Sequence, residues 1–226
     1  MNCTYPSFLT RFFNRSIAFL LASFAGLAAP AWAQSESNPS VNAQLLVAAR
    51  NTDIEAVKKS LDRGAALNSR NRLGKTSLYI SIEKNRIDIA KMLIGAGADV
   101  HLPSLEKVTP LIAASYAGSL PLVDLLLKNG AKHEPTDRLH KSALVYAAGM
   151  GHTQVVERLL QAGAPVDETP VDALTPLMWA AGQGHAETVK LLLAKGANKL
   201  LKDERGLTAM DMAKEAQHAP VVDLLQ

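Results

Sequence analysis

Residues 175–197 read TPLMWAAGQGHAETVKLLLAKGA, and this stretch decides the fold. Thr175 is a residue whose hydroxyl caps a helix N-terminus, and Pro176 follows at the first helical position, where its missing N–H costs nothing. The short apolar run after it is interrupted at Gly184. A second run, with leucines at Leu191, Leu192 and Leu193, ends at Gly196-Ala197. Two short helices divided and closed by glycine account for that order of residues.

The same grammar recurs at a fixed period. Thr76, Thr109, Ser142, Thr175 and Thr208 stand 33 residues apart, each followed two residues later by Leu78, Leu111, Leu144, Leu177 or Met210. Gly-Ala pairs recur in the same phase at Gly64, Gly97, Gly130, Gly163 and Gly196, and a Leu or Ile precedes each glycine by three residues, from Leu61 to Leu193. Gly118, Gly151 and Gly184 end the first helix of their units. Asn85 holds the same place earlier, Asn being the next-best residue for a left-handed cap. The second helix, for example Thr153 to Gln161, carries Val155, Val156, Leu159 and Leu160 at helical spacing. Pairs of this size cannot bury their apolar faces alone, so they must stack on their neighbours. The paired alanines, such as Ala147-Ala148 and Ala180-Ala181, mark where neighbouring helices press close.

The pattern resembles the ankyrin repeat. Thr109-Pro110-Leu111 and Thr175-Pro176-Leu177 match its Thr-Pro-Leu-His core, Gly151-His152 and Gly184-His185 its Gly-His step, and residues 191–197 its second helix and exit. The resemblance implies an all-α solenoid of helix–loop–helix units with short projecting fingers. It covers a divergent unit at 41–70, full units at 71–103, 104–136, 137–169 and 170–202, and a truncated unit at 203–226. There are departures. The family's His after Leu is replaced by Tyr79, Ile112, Val145, Met178 and Asp211, and Ile82 fills a position that is normally small.

The first 40 residues have a different composition. All five Phe lie within the first 24 residues, and residues 1–33 contain no Asp or Glu. Arg11 and Arg15 precede an apolar run from Ser16 to Ala29, shorter than the roughly 20 residues a spanning helix needs. Ala31-Trp32-Ala33 follows Pro30. These features predict a cleavable signal peptide at 1–33, cut before Gln34, and a polar lead-in at 34–40. A periplasmic or secreted destination and no stable membrane insertion after cleavage follow as expectations. The only cysteine, Cys3, leaves with the signal, so stability must come from packing and not from disulfides. Removing Arg11 and Arg15 leaves 22 basic against 21 acidic residues, a net of +1, which gives no reason to expect nucleic-acid binding.

No nucleophile elbow, phosphate loop or metalloprotease motif is present, so neither catalysis nor a cofactor is expected. His152 and His185 lie one repeat apart, and helices packed about 8–10 Å apart do not bring two such rings to one zinc ion. His101, His133 and His140 fall in turns and form the fallback site. Asp167 and Glu168 are adjacent carboxylates in a loop, without the facing geometry of an acid/base pair.

The expected role is therefore binding another protein, in an inhibitor, immunity-type or enzyme-helper capacity, the alternative being an effector acting on a host protein. The resemblance places contacts on the finger residues before each cap and at the end of each first helix. The finger sets are Arg72, Leu73, Lys75; Leu105, Glu106, Val108; Arg138, Leu139, Lys141; Val171, Asp172, Leu174; and Glu204, Arg205, Leu207. The helix-end pairs are Glu83-Lys84, Tyr116-Ala117, Gly149-Met150 and Gly182-Gln183. An apolar stripe bordered by charge fits a protein interface, and aromatic and Met side chains favour its centre. The contact set is Leu73, Val108, Tyr116, Arg138, Leu139, Lys141, Met150 and Leu174. Tyr79, Tyr146 and Trp179 are expected to fill the core or the groove.

Overall fold

A threonine or serine hydroxyl starts the first helix of each of five consecutive units. Thr76, Thr109, Ser142, Thr175 and Thr208 accept the backbone N–H of Tyr79, Ile112, Val145, Met178 and Asp211 at 3.1–3.2 Å. The computed structural model describes residues 40–169 and 173–226. The expected signal peptide at 1–33, all but the last residue of the expected lead-in, and the finger residues Val171 and Asp172 lie outside the described residues.

Twelve helices and no strands are found among the described residues. The inner row consists of α1 (Val41–Asn51), α3 (Ser77–Glu83), α5 (Pro110–Tyr116), α7 (Ala143–Gly149), α9 (Pro176–Gly182) and α11 (Ala209–Glu215). The outer row consists of α2 (Ile54–Asp62), α4 (Ile87–Gly95), α6 (Leu120–Lys128), α8 (Thr153–Gln161), α10 (Ala186–Ala194) and α12 (Ala219–Leu225). Each inner helix packs against the outer helix that follows it and against its inner neighbours, and outer helices pack against outer helices. The result is a two-layer all-α solenoid. The outer helices keep the 33-residue phase through all six pairs, including the first. The first inner helix departs from it: α1 has 11 residues where the others have seven, and it starts at Ser40, whose hydroxyl accepts the Ala43 N–H.

The core runs the length of the stack between the two rows. Leu78, Leu111, Leu144 and Leu177 from the inner helices meet Ile89, Leu122, Val155 and Val189 from the outer ones, all essentially inaccessible. Fully burying each such side chain contributes about 1.5–3 kcal/mol, so the repeating leucine is the main cohesive element. Ile82 is fully buried where later units have Ser115, Ala148 and Ala181.

A residue within two positions of the end of each first helix takes a left-handed conformation in all six units: Thr52, Asn85, Gly118, Gly151, Gly184 and Gln217. What sits above it differs from unit to unit. The rings of His152 and His185 lie against Gly118 and Gly151 so closely that an added Cβ would come within 2.5 Å of each ring. Their Nε2 atoms lie 3.0 Å from the carbonyls of Tyr116 and Gly149. Where the column carries a side chain, the histidine is replaced. The Ser119 hydroxyl donates to Asn85 Oδ1 (2.7 Å), and Arg86 donates to the Thr52 carbonyl (2.8 Å). The Gly-His step is thus one of three ways of latching a unit to the one before it, and the latch accounts for His152 and His185.

Candidate protein-binding groove

Three of the fingers are shaped by a polar side chain five positions before the cap. Asp137 Oδ1 accepts the N–H groups of Leu139 and Lys141, and its backbone N–H donates to the Lys141 carbonyl. Asn71 and Asp203 make the same bonds in their own fingers. Two backbone bonds then join the fingers side by side, Leu105 N–H to the Leu73 carbonyl and Arg138 N–H to the Glu106 carbonyl. The turn requires a left-handed residue two positions before the cap. Gly74 and Gly206 meet that requirement without strain, whereas Lys107, His140 and Ala173 hold φ of 59°, 57° and 55°.

The eight contact residues divide into three groups. Leu73, Leu139 and Arg138 are exposed at the finger tips, with Leu73 at 59% and Leu139 at 64%. Val108, Lys141 and Leu174 stand immediately before a cap, are half-buried, and form the wall between finger and inner helix. Val108 and Leu174 pack against the core, so they belong to the groove and not to the tips. Tyr116 and Met150 are 52% and 43% exposed at the ends of α5 and α7.

Tyr146 and Trp179, one repeat apart on α7 and α9, are half-buried and form the floor. Tyr116 meets Tyr146 edge to face, with ring centres 5.6 Å apart. Tyr146 donates its hydroxyl to Asp137 Oδ2 at 2.5 Å, tying the floor to the third finger. Burial, reinforced by that bond to an anion, holds the Tyr146 hydroxyl above the ordinary phenol range. Tyr79 is buried deeper, and burial together with the nearby Glu83 pushes its hydroxyl up to about 12. The Lys141 ammonium lies 3.9 Å from the centre of the Trp179 ring and 5.7 Å from that of Tyr146. Gly149 faces Trp179, and a Cβ there would stand in ordinary contact with it at 3.6 Å.

Three pockets follow one another along this face. The first, about 550 Å³, lies between Tyr79, Val108, Ile112 and Tyr116. The second, about 240 Å³, lies between Tyr116, Lys141, Met150 and Trp179. The third, about 410 Å³, lies between Leu174, Trp179, Met212 and Glu215. Tyr116 and Tyr146 divide the first from the second, and Trp179 and Gln183 divide the second from the third.

The turn histidines are dispersed. His101 and His140 are exposed, and His133 is half-buried with its Nδ1 out of solvent and without a hydrogen-bond partner. The adjacent carboxylates serve separate contacts: Asp167 accepts the Asn198 N–H, and Glu168 accepts the Ser142 hydroxyl. Burial raises the Glu168 carboxyl above its ordinary value. Among the described residues no group of three or more His, Cys, Asp or Glu is placed to hold a metal ion, and no helix is long and apolar enough to cross a membrane.

A stack of capped helix pairs with a fingered groove defines a repeat scaffold. A family model described as ankyrin repeats (3 copies) matches residues 45–137, 88–170 and 144–226, and the chain belongs to the ankyrin-repeat family. It is 38% identical over 63 residues to an ankyrin repeat protein of fowlpox virus (strain NVSL), a match covering 28% of this chain and 8% of that protein. It is 35% identical over 82 residues to the 2-5A-dependent ribonuclease of Homo sapiens, covering 36% of this chain and 11% of that one. It is 27% identical over 106 residues to NF-kappa-B inhibitor alpha of Gallus gallus, covering 46% and 33%. In each case the matched stretch is a minor part of the relative's length. Ankyrin repeats are in general protein–protein interaction scaffolds, and that is the class of this chain.

Proposed function

We propose that this protein is an exported, non-catalytic scaffold that holds a partner protein in the periplasm. The partner lies along the groove, with Tyr116, Met150, Val108, Lys141 and Leu174 at the centre of the contact and Leu73, Arg138 and Leu139 at its rim. The observation that carries the reading is the row of three largely apolar pockets, bounded by exposed Tyr116 and Met150. Aromatic and Met side chains are the groups that anchor protein interfaces. Because the first three fingers are bonded to one another and the third to the floor, this part of the surface is preformed, and little ordering entropy opposes binding there. The location rests on the signal-like residues 1–33, and the named activities of the relatives remain theirs.

The test is a crosslinked pull-down from periplasmic extract, using the mature chain beside a Tyr116→Ala, Leu139→Ala variant. One partner retained by the native chain and lost by the variant, with melting temperature nearly unchanged, is the expected outcome. A large drop in melting temperature would assign these side chains to packing instead. N-terminal sequencing of the exported protein should begin at Gln34, and an intact N-terminus would remove the export reading. The identity of the captured protein separates an inhibitory from a helping role: a toxic or hydrolytic enzyme marks the first, a redox or cell-wall enzyme the second.

A further inference from the structure

We infer that the middle of the groove recognises an acidic–apolar protein segment, with a partner carboxylate on Lys141 and the neighbouring apolar side chain in the pocket beside it; this rests on the groove reading proposed above. The first observation is charge. Residues 71–75, 104–108 and 137–141 carry five cations, Arg72, Lys75, Lys107, Arg138 and Lys141, against two carboxylates, Glu106 at a tip and Asp137, which is buried beneath its finger and bonded to the Tyr146 hydroxyl. Lys75 is paired with Glu83 at 2.6 Å, and Arg138 lies a loose 3.7 Å from Glu106. Among the described residues, Arg72, Lys107 and Lys141 have no carboxylate partner. The finger at 203–207 differs, since its one cation, Arg205, is held by Asp203 at 2.8 Å and Glu204 adds a second carboxylate. Positive potential is therefore concentrated at the first three fingers of a chain whose net charge is small, and it complements an acidic partner.

The second observation is where Lys141 is held. Asp137 accepts its backbone N–H and also the Tyr146 hydroxyl, so the finger, the floor and the lysine form one rigid group. The ammonium sits over Trp179 at the edge of the 240 Å³ pocket, half-buried and still reaching solvent. A carboxylate arriving there meets a positioned cation in partly water-excluded surroundings, where a charged hydrogen bond is stronger than at an open surface. The pocket beside it, between Tyr116, Met150 and Gln183, has room for one aliphatic or aromatic side chain. A nucleic acid fits less well. Base stacking needs an open ring face, but Lys141 covers Trp179 and Tyr116 is packed edge to face on Tyr146.

The experiment pans a random dodecapeptide library, displayed on phage, against the mature chain. Groove-directed peptides are those lost on Tyr116→Ala, Met150→Ala protein that melts like the native chain. These peptides should be enriched in Asp or Glu next to a large apolar residue. Their affinity should fall about tenfold on Lys141→Gln, survive Lys141→Arg, and weaken as salt screens the exposed fingers. Groove-directed peptides without acidic enrichment, indifferent to Lys141→Gln, would overturn this inference and leave the groove reading standing. Peptides that bind only elsewhere, or no binders at all, would overturn both.

Discussion

Ser115 shows what the 33-residue period demands of a single side chain. It is fully buried on α5, and its Oγ has no hydrogen-bond partner. The same column carries Ala148 and Ala181 in the next two units, also fully buried. A buried hydroxyl that exchanges water for nothing costs about 1–3 kcal/mol. Ser115→Ala should therefore stabilise the chain by about 1 kcal/mol, read as a higher urea midpoint with an unchanged slope. Unchanged or lower stability would mean that the hydroxyl has a partner after all. Tyr79 offers a second measurement at this scale. Its hydroxyl is pushed up to about 12, so between pH 10 and that value an unfolded chain loses the proton while the folded chain keeps it. Stability should accordingly fall as pH rises through this window, and absorbance near 295 nm should show a tyrosine that ionises late. Tyr79→Phe should remove that part of the alkaline loss.

At the scale of the element, the finger turn has one conformation and several sequences. Lys107 is exposed and adopts φ of 59°, where the equivalent residues of two other fingers are Gly74 and Gly206. A non-glycine residue in this region costs about 1 kcal/mol. Lys107→Gly should recover about that much, measured by thermal melting, and a destabilised variant would mean that the lysine side chain holds the finger. The helix caps were legible in the sequence because Thr and Ser act on residues three positions away. The left-handed column was legible at Gly118, Gly151, Gly184 and Asn85. It was not legible at Thr52 and Gln217, residues without a preference for that conformation, which the next helix imposes. The latches of Arg86 and Ser119 were hidden because each is a contact across a whole repeat, 34 residues apart. Lys141 on Trp179 escaped for the same reason: reading one column at a time shows which residues are equivalent but not which ones touch.

At the scale of the whole molecule, stability is local to neighbouring units. α7 packs on α5 before it and α9 after it, and Leu144 at its centre is 1% exposed. Leu144→Ala should cost about 2–5 kcal/mol. In a stack held by nearest-neighbour interfaces, that loss uncouples the units on either side. Urea unfolding followed by circular dichroism should then split into two transitions, and a single shifted transition would mean that coupling extends beyond neighbours. The split bears on binding too, because the groove spans these same inner helices and exists only while they remain stacked in order.

On the proposed reading the groove, and not the row of outer helices, is the working surface. Hydrogen exchange of the chain from Gln34 onward, free and bound to the captured partner, separates the two surfaces. The account predicts slowed exchange in the fingers at 105–108 and 138–141 and around Tyr116 and Met150, with α6, α8 and α10 unchanged. Protection confined to those outer helices would contradict it.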